Sequence, residues 1–174
     1  SATRRDVSIP PERLVLPPLM PLGAPDNTRQ VSLNEEESST VLVSEENGNI
    51  VLDCADGEPF GPIAALLGTL NMDGSGNPLL WRDPVTEDPE SGTTEIWEMY
   101  NFTEDAHPIH VHLVQFQVMN RQVIDNGVAR PPERWETGFK DTVTAYPGEI
   151  TRIKAKFDIP GRFVWHCHIV EHED

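Results

Sequence analysis

The sequence predicts an all-β chain, arranged as a Greek-key β-sandwich, and three observations carry that prediction. Short runs rich in β-branched and aromatic residues recur along it, as in Thr94–Asn101 and Glu149–Phe157. Turn signals separate them, the strongest being Asn47-Gly48 between Thr40-Val41-Leu42-Val43-Ser44 and Asn49-Ile50-Val51-Leu52-Asp53, a two-residue hairpin. Convincing helical periodicity is confined to Ile63–Leu70.

Taken in order, residues 1–30 carry Pro10, Pro11, Pro17, Pro18, Pro21 and Pro25. That spacing forbids regular helix or central strand and favours an extended connector, so residues 1–30 are read as a linker and residues 31–174 as the domain. After the hairpin, strands are expected at Thr94–Asn101, His110–Arg121, Phe139–Ala145, Glu149–Phe157 and Gly161–Cys167. Such strands stack as a two-layer sandwich whose loops gather at its ends.

A chain of 174 residues and 19.5 kDa buries one good core, so one domain with tails is expected. The net charge of -16 and pI near 4.6 disfavour nucleic acid or an anionic membrane as partner. The start, Ser1-Ala2-Thr3-Arg4-Arg5-Asp6, shows no charged segment followed by an apolar run, so no signal peptide or membrane span is expected among these residues. Glu35-Glu36-Glu37 and Glu45-Glu46 read as a solvated acidic face. Two cysteines make no disulfide framework, and Cys54 is expected as a buried free thiol.

All six histidines fall in two runs, His107-Pro108-Ile109-His110-Val111-His112 and His166-Cys167-His168-Ile169-Val170-Glu171-His172. Imidazoles with a thiolate form a soft, nitrogen-rich ligand set that suits copper or zinc and excludes magnesium and calcium. No CxxC pair is present to build a structural zinc site. On a strand side chains alternate, so His166 and His168 point one way and Cys167 the other. His110 and His112 share a face by the same rule, while Pro108 is expected to bend the chain and free His107. Two sites follow. Cys167, His107 and His172 form the two-imidazole, one-thiolate set of a blue-copper centre; His110, His112, His166 and His168 form a thiolate-free second group.

The runs HPIHVHLVQFQV and GRFVWHCHIVEHED closely resemble the third cupredoxin domain of multicopper oxidases, in the laccase and bilirubin-oxidase-like branch that includes the spore-coat laccases. Leu80-Trp81-Arg82-Asp83-Pro84-Val85-Thr86-Glu87, Gly92-Thr93-Thr94-Glu95-Ile96-Trp97 and Lys140-Asp141-Thr142 fit the same branch, so the likeness covers about residues 66 to 174. The resemblance implies a cupredoxin fold and copper as cofactor. By it His107, Cys167 and His172 would hold type 1 copper, His110 type 2 copper, and His112, His166 and His168 the type 3 pair. Cys167 would carry electrons and Glu173 would supply protons during oxygen reduction. The resemblance also implies an axial methionine five residues past His172, whereas these residues end two past it, and four further histidines from a first domain. The chain is therefore expected to be the C-terminal part of a larger or multi-chain oxidase, partnered by N-terminal cupredoxin domains, acting on small aromatic substrates and dioxygen. A secreted, periplasmic or spore-surface location goes with that branch.

A stand-alone blue-copper carrier would need only His107, Cys167 and His172, and the four remaining histidines argue against it. A copper-free remnant of the fold is the third possibility. Trp97, Trp165, Phe116 and Phe163 are expected in the core. Asp141 is a candidate to accept the second N–H of a metal-bound histidine. The loop Gln122–Gly138 is expected to border the substrate side of the Cys167 site. Met20, Met72, Met99 and Met119 are scattered, which disfavours cuprous ion as substrate.

Overall fold

Alternation of side chains fixes which face of each strand is buried, and in β7 (Thr94–Asn101) Glu95, Trp97, Met99 and Asn101 turn inward. A computed structural model describes residues 8–15, 18, 20–125 and 127–173. Parts of the predicted linker, Pro17 among them, lie outside the described residues, as do Asn126 and the side chain of Glu173. The strands that precede β7 are β1 (Asn27–Glu37), β2 (Leu42–Glu46), β3 (Asn49–Leu52), β4 (Glu58–Pro59), β5 (Pro62–Leu70) and β6 (Gly76–Pro78). After it come β8 (His107–Val111), β9 (Phe116–Val123), β10 (Phe139–Lys140), β11 (Thr142–Ala145), β12 (Glu149–Lys156) and β13 (Trp165–Cys167), then a short helix α1 (Val170–Glu173).

Seven strands form one sheet in the order β10-β9-β12-β7-β1-β5-β6, and a second sheet has the order β11-β8-β13. Apolar residues from both, including Val31, Leu33, Met99, Phe116, Ile153, Ile109, Val143 and Cys167, join in one buried cluster. The two sheets thus pack face to face as a cupredoxin-like sandwich, and each fully buried large side chain, such as Phe116 or Ile109, contributes about 1.5–3 kcal/mol. β1 runs parallel to β7 with Val31 beside Met99, and antiparallel to β5 with Leu33 beside Leu67. On the outer face Arg152 lies in register with Glu98 and pairs with it, an opposite-charge cross-strand contact. A third sheet, β3-β2-β4, is small.

The Asn47-Gly48 hairpin forms as its sequence dictates: φ is 51° at Asn47 and 78° at Gly48, the two left-handed residues of a type I′ turn between β2 and β3. Thr94–Asn101 is a strand over the predicted residues, and Glu149–Phe157 is one over all but its last. Four expectations are corrected. Phe139–Ala145 is divided at Asp141 into β10, which pairs with β9, and β11, which pairs with β8 in the other sheet. Ile63–Leu70 belongs to strand β5, because its backbone pairs with β1 on one side and β6 on the other. The stretch His110–Arg121 is divided, since Leu113 takes φ 52° and the chain crosses from the β8 sheet to the β9 sheet. Gly161–Cys167 pairs only from Trp165 onward, and Phe163 is 42% exposed rather than in the core. Trp97 and Phe116 are buried, and Trp165 is half-buried.

β1 begins at Asn27, and the chain before it is held to the sheet where Lys154 Nζ donates to the carbonyls of Leu22 and Gly23. Cys54, expected to be buried, is exposed and unpaired by disulfide in the β3–β4 turn. No helix among the described residues is long and apolar enough to cross a membrane.

Candidate metal centre

The β8–β13 pairing sorts the candidate metal ligands onto two faces. His110 lies opposite His166, and Cys167 opposite Ile109. Directly opposed residues share a face, so Cys167 joins the buried row His107, Ile109 and Val111, while His110 and His166 project from the other side. Plain alternation suffices to separate His107 from His110; Pro108, expected to bend the chain, sits in regular register opposite Thr144. The chain turns after Ile169 into α1, where the His172 N–H donates to the Ile169 carbonyl at 2.9 Å, and this turn returns His172 to the Cys167 side.

Cys167 Sγ lies 3.6 Å from His107 Nδ1 and 3.8 Å from His172 Nδ1, and the two nitrogens are 3.3 Å apart. A point equidistant from the three is about 2.1 Å from each, close to the roughly 2.0–2.1 Å of a metal–imidazole bond and a little under the roughly 2.3 Å of a metal–thiolate bond. Soft sulfur with two nitrogens in a trigonal array is the donor set that suits copper. The Ile169 N–H donates to Sγ at 3.4 Å. Burial pushes the His107 pKa below its usual value, the nearby His172 adds to the shift, and Asp105 opposes it, a net effect that favours the neutral, ligating ring. Beside the triangle lies a cavity of about 50 Å³ walled by Leu33 and Asn34 of β1 and Ala65, Leu66 and Leu67 of β5.

On the opposite face four imidazoles gather. His112 Nε2 and His166 Nε2 are 3.1 Å apart, and donor nitrogens of His110, His112 and His166 lie within 4.8 Å of one another. The His168 ring centroid is 4.7 Å from that of His166 and 5.4 Å from that of His110. His110 Nδ1 donates to the Asp141 carbonyl at 2.8 Å, and His166 Nδ1 to the Cys167 carbonyl at 3.1 Å, so each presents Nε2 outward. Asp141 therefore acts through its backbone; its carboxylate accepts from the Thr142 hydroxyl at 3.1 Å.

Among the described residues, none of the loop Gln122–Gly138, expected to border the Cys167 site, lines the cavity beside it. The loop's Trp135 and Glu136 line a separate space of about 200 Å³ with Val118, Lys140 and Thr142. Glu35, assigned to a solvated acidic run, turns inward from β1, and its Oε1 is buried 3.5 Å from His107 Nε2. Burial raises its pKa, Asp105 raises it further, and His172 opposes the change. Only the apolar Val31 and Leu33 on the same strand face could have hinted at that orientation, since residues i, i+2 and i+4 share a face.

The multicopper oxidase family profile matches residues 61–174. The chain is 48% identical over 128 residues to a laccase of Bacillus subtilis, an alignment covering 63% of this chain and 25% of that protein. It is 49% identical over 87 residues to a laccase of Haloferax volcanii, covering 49% and 14% respectively. A multicopper oxidase from Campylobacter jejuni superposes with a TM-score of 0.57 at 18% identity, over 97% of this chain and 31% of the other. McoA of Aquifex aeolicus gives 0.54 at 22% identity over 91% and 30%, and both likenesses bear on the fold. The chain spans about a quarter of the length of the Bacillus laccase. A match over most of the sequence, which takes in both histidine runs, makes the chain a member of the multicopper oxidase family.

Proposed function

We propose that the sandwich from Asn27 onward, a few residues earlier than the expected boundary, is the C-terminal cupredoxin domain of a laccase-like oxidase and that the residues before it link it to preceding domains. His107, Cys167 and His172 would hold type 1 copper, His110 type 2 copper, and His112, His166 and His168 the type 3 pair. The observation that carries the reading is the single-residue junction between two ligand groups: Cys167 faces the buried triangle while His166 and His168 on either side face the imidazole group. Bound at these positions, copper supplies one-electron redox chemistry at the thiolate site and dioxygen reduction at the imidazole cluster.

Cys167 gives a covalent path for electrons between the groups, supplemented by the hydrogen bond from His166 Nδ1 to its carbonyl. Burial of His107 and Cys167 keeps water from the sulfur, while half-buried His172 is the ligand nearest solvent and the natural entry point for electrons. The family affinity supports phenolic and other small aromatic electron donors as substrates and dioxygen as acceptor. Half-buried His110 and exposed His168 keep this face accessible to histidines from N-terminal cupredoxin domains, the partner the reading supplies. Glu173, directly after His172, would supply protons to the reduction of dioxygen.

Copper content tests the division into two groups. Alanine at both His110 and His168 in the full-length protein should remove the cluster copper, abolish dioxygen reduction and leave about one copper per chain with its blue colour. Loss of the blue colour together with all copper would contradict two separable sites.

A further inference from the structure

We propose that Asn101 and Thr103 form a hydrogen-bond relay that fixes the tautomer of His107, with the proton on Nε2 and the bare nitrogen Nδ1 turned toward Cys167 and His172. The functional importance of the relay depends on His107 being a ligand, but the relay itself exists without metal. The three residues occupy one connection: Asn101 ends β7, Thr103 lies in the following turn, and His107 opens β8. All three are buried, Asn101 completely.

The proton positions follow from which atoms can only accept. Asn101 Nδ2 faces the carbonyls of Asp105 at 2.7 Å and Ala145 at 3.1 Å, which fixes the amide so that Oδ1 points the other way. Oδ1 accepts from the Thr103 backbone N–H at 2.9 Å and lies 2.8 Å from Thr103 Oγ1. Two oxygens that close require a proton between them, and the amide oxygen has none, so the hydroxyl donates to Asn101. The Asp105 carbonyl, 3.2 Å from Oγ1, is likewise acceptor-only.

Oγ1 is then left with lone pairs. One accepts from the Asp105 N–H at 3.2 Å, and the other faces His107 Nε2 at 2.6 Å. Nε2 must bring the proton. The Glu35 carboxylate oxygen, 3.5 Å from the same nitrogen, also favours an N–H over a lone pair there. A neutral imidazole protonated at Nε2 carries its lone pair on Nδ1, the atom 3.6 Å from Cys167 Sγ. Thr103 is thus a positioning residue that acts through His107.

Nitrogen-15 NMR of the metal-free protein, above the titration range of His107, reads the tautomer directly. Wild type and Thr103→Ser should show the proton on Nε2, whereas Thr103→Val should show a mixture or the opposite tautomer. Copper affinity should fall about 10–100-fold in the valine variant and recover with serine, as for other partners that orient a ligating histidine. The reduction potential and visible band should shift in the valine variant and return with serine. A wild-type His107 protonated on Nδ1 overturns the relay, as does a valine variant with unchanged tautomer, affinity and band. If the valine variant does not fold, the wild-type and serine spectra still decide. An unchanged visible band in His107→Ala would instead overturn the ligand reading and leave the relay to stand on the NMR result.

Discussion

Replacing Glu136 with alanine leaves the Arg121 guanidinium buried without a counter-charge, and this should cost about 3–5 kcal/mol of stability. Arg121 projects from β9 and is fully buried, ion-paired to Glu136 through Nη2, bonded to Thr151 Oγ1 at 2.8 Å, and stacked 4.5 Å from the Tyr146 ring centroid. Glu136 sits in the 3-10 turn Arg134–Glu136 and also accepts from the Glu133 N–H at 2.8 Å, so the pair pins the 124–138 loop to the sandwich. In a domain of this size each kcal/mol moves Tm by about 2–4 °C, giving an expected drop of about 6–20 °C by calorimetry. Removing both charges, as in Arg121→Met with Glu136→Leu, should recover most of the loss because no lone charge stays buried. A fall under about 1 kcal/mol in Glu136→Ala would show that water reaches Arg121, and the burial argument would fail.

Acid titration offers a second check. Burial alone would raise the Glu95 carboxyl, but hydrogen bonds from Arg29 and Trp97 and the Arg29 charge outweigh it and hold the pKa below 4.5. The resulting stabilisation is present above 4.5 and lost as pH falls through the folded value, so the stability gap between wild type and Glu95→Gln should be widest at neutral pH and close in acid. Gly68→Ala places a Cβ 2.0 Å from the Asn77 carbonyl oxygen, and the forced separation of β5 and β6 should cost about 1–3 kcal/mol in denaturant titration. Glu173→Gln should keep the blue colour of the copper-loaded protein while slowing dioxygen reduction, read as oxygen uptake, because it removes a proton donor and no ligand; unchanged uptake would demote Glu173 to a surface acid.

The two-faced arrangement was legible in the sequence because strand parity is a strict rule: His166 and Cys167 are adjacent, so they must diverge wherever that segment is extended. Asn47-Gly48 was legible for a similar reason, as few residue pairs accept two left-handed conformations in succession. What failed was whatever depended on distant chain. Ile63–Leu70 carries apolar residues at helical spacing, yet β1 and β6 supply hydrogen-bonding edges on both sides of it, and tertiary pairing overrides period. Glu35 lies among glutamates that face water, and only the packing of β1 over His107 reveals that it turns inward. Cys54 follows a β-rich run, but the strand ends at Leu52 and leaves the thiol on an exposed turn. The relay at His107 was invisible because an Asn and a Thr in a turn are ordinary turn residues until their partners are known.

Cys167, with His107 and His172, is the proposed thiolate ligand of a type 1 copper. The most direct test of this role is the visible spectrum of the copper-loaded full-length protein beside that of Cys167→Ser. The wild type should show the intense absorption of thiolate-to-copper charge transfer, and the serine variant should lose that band and all substrate oxidation, since a hydroxyl is a harder, poorer copper ligand. A serine variant that stays blue would contradict the assignment.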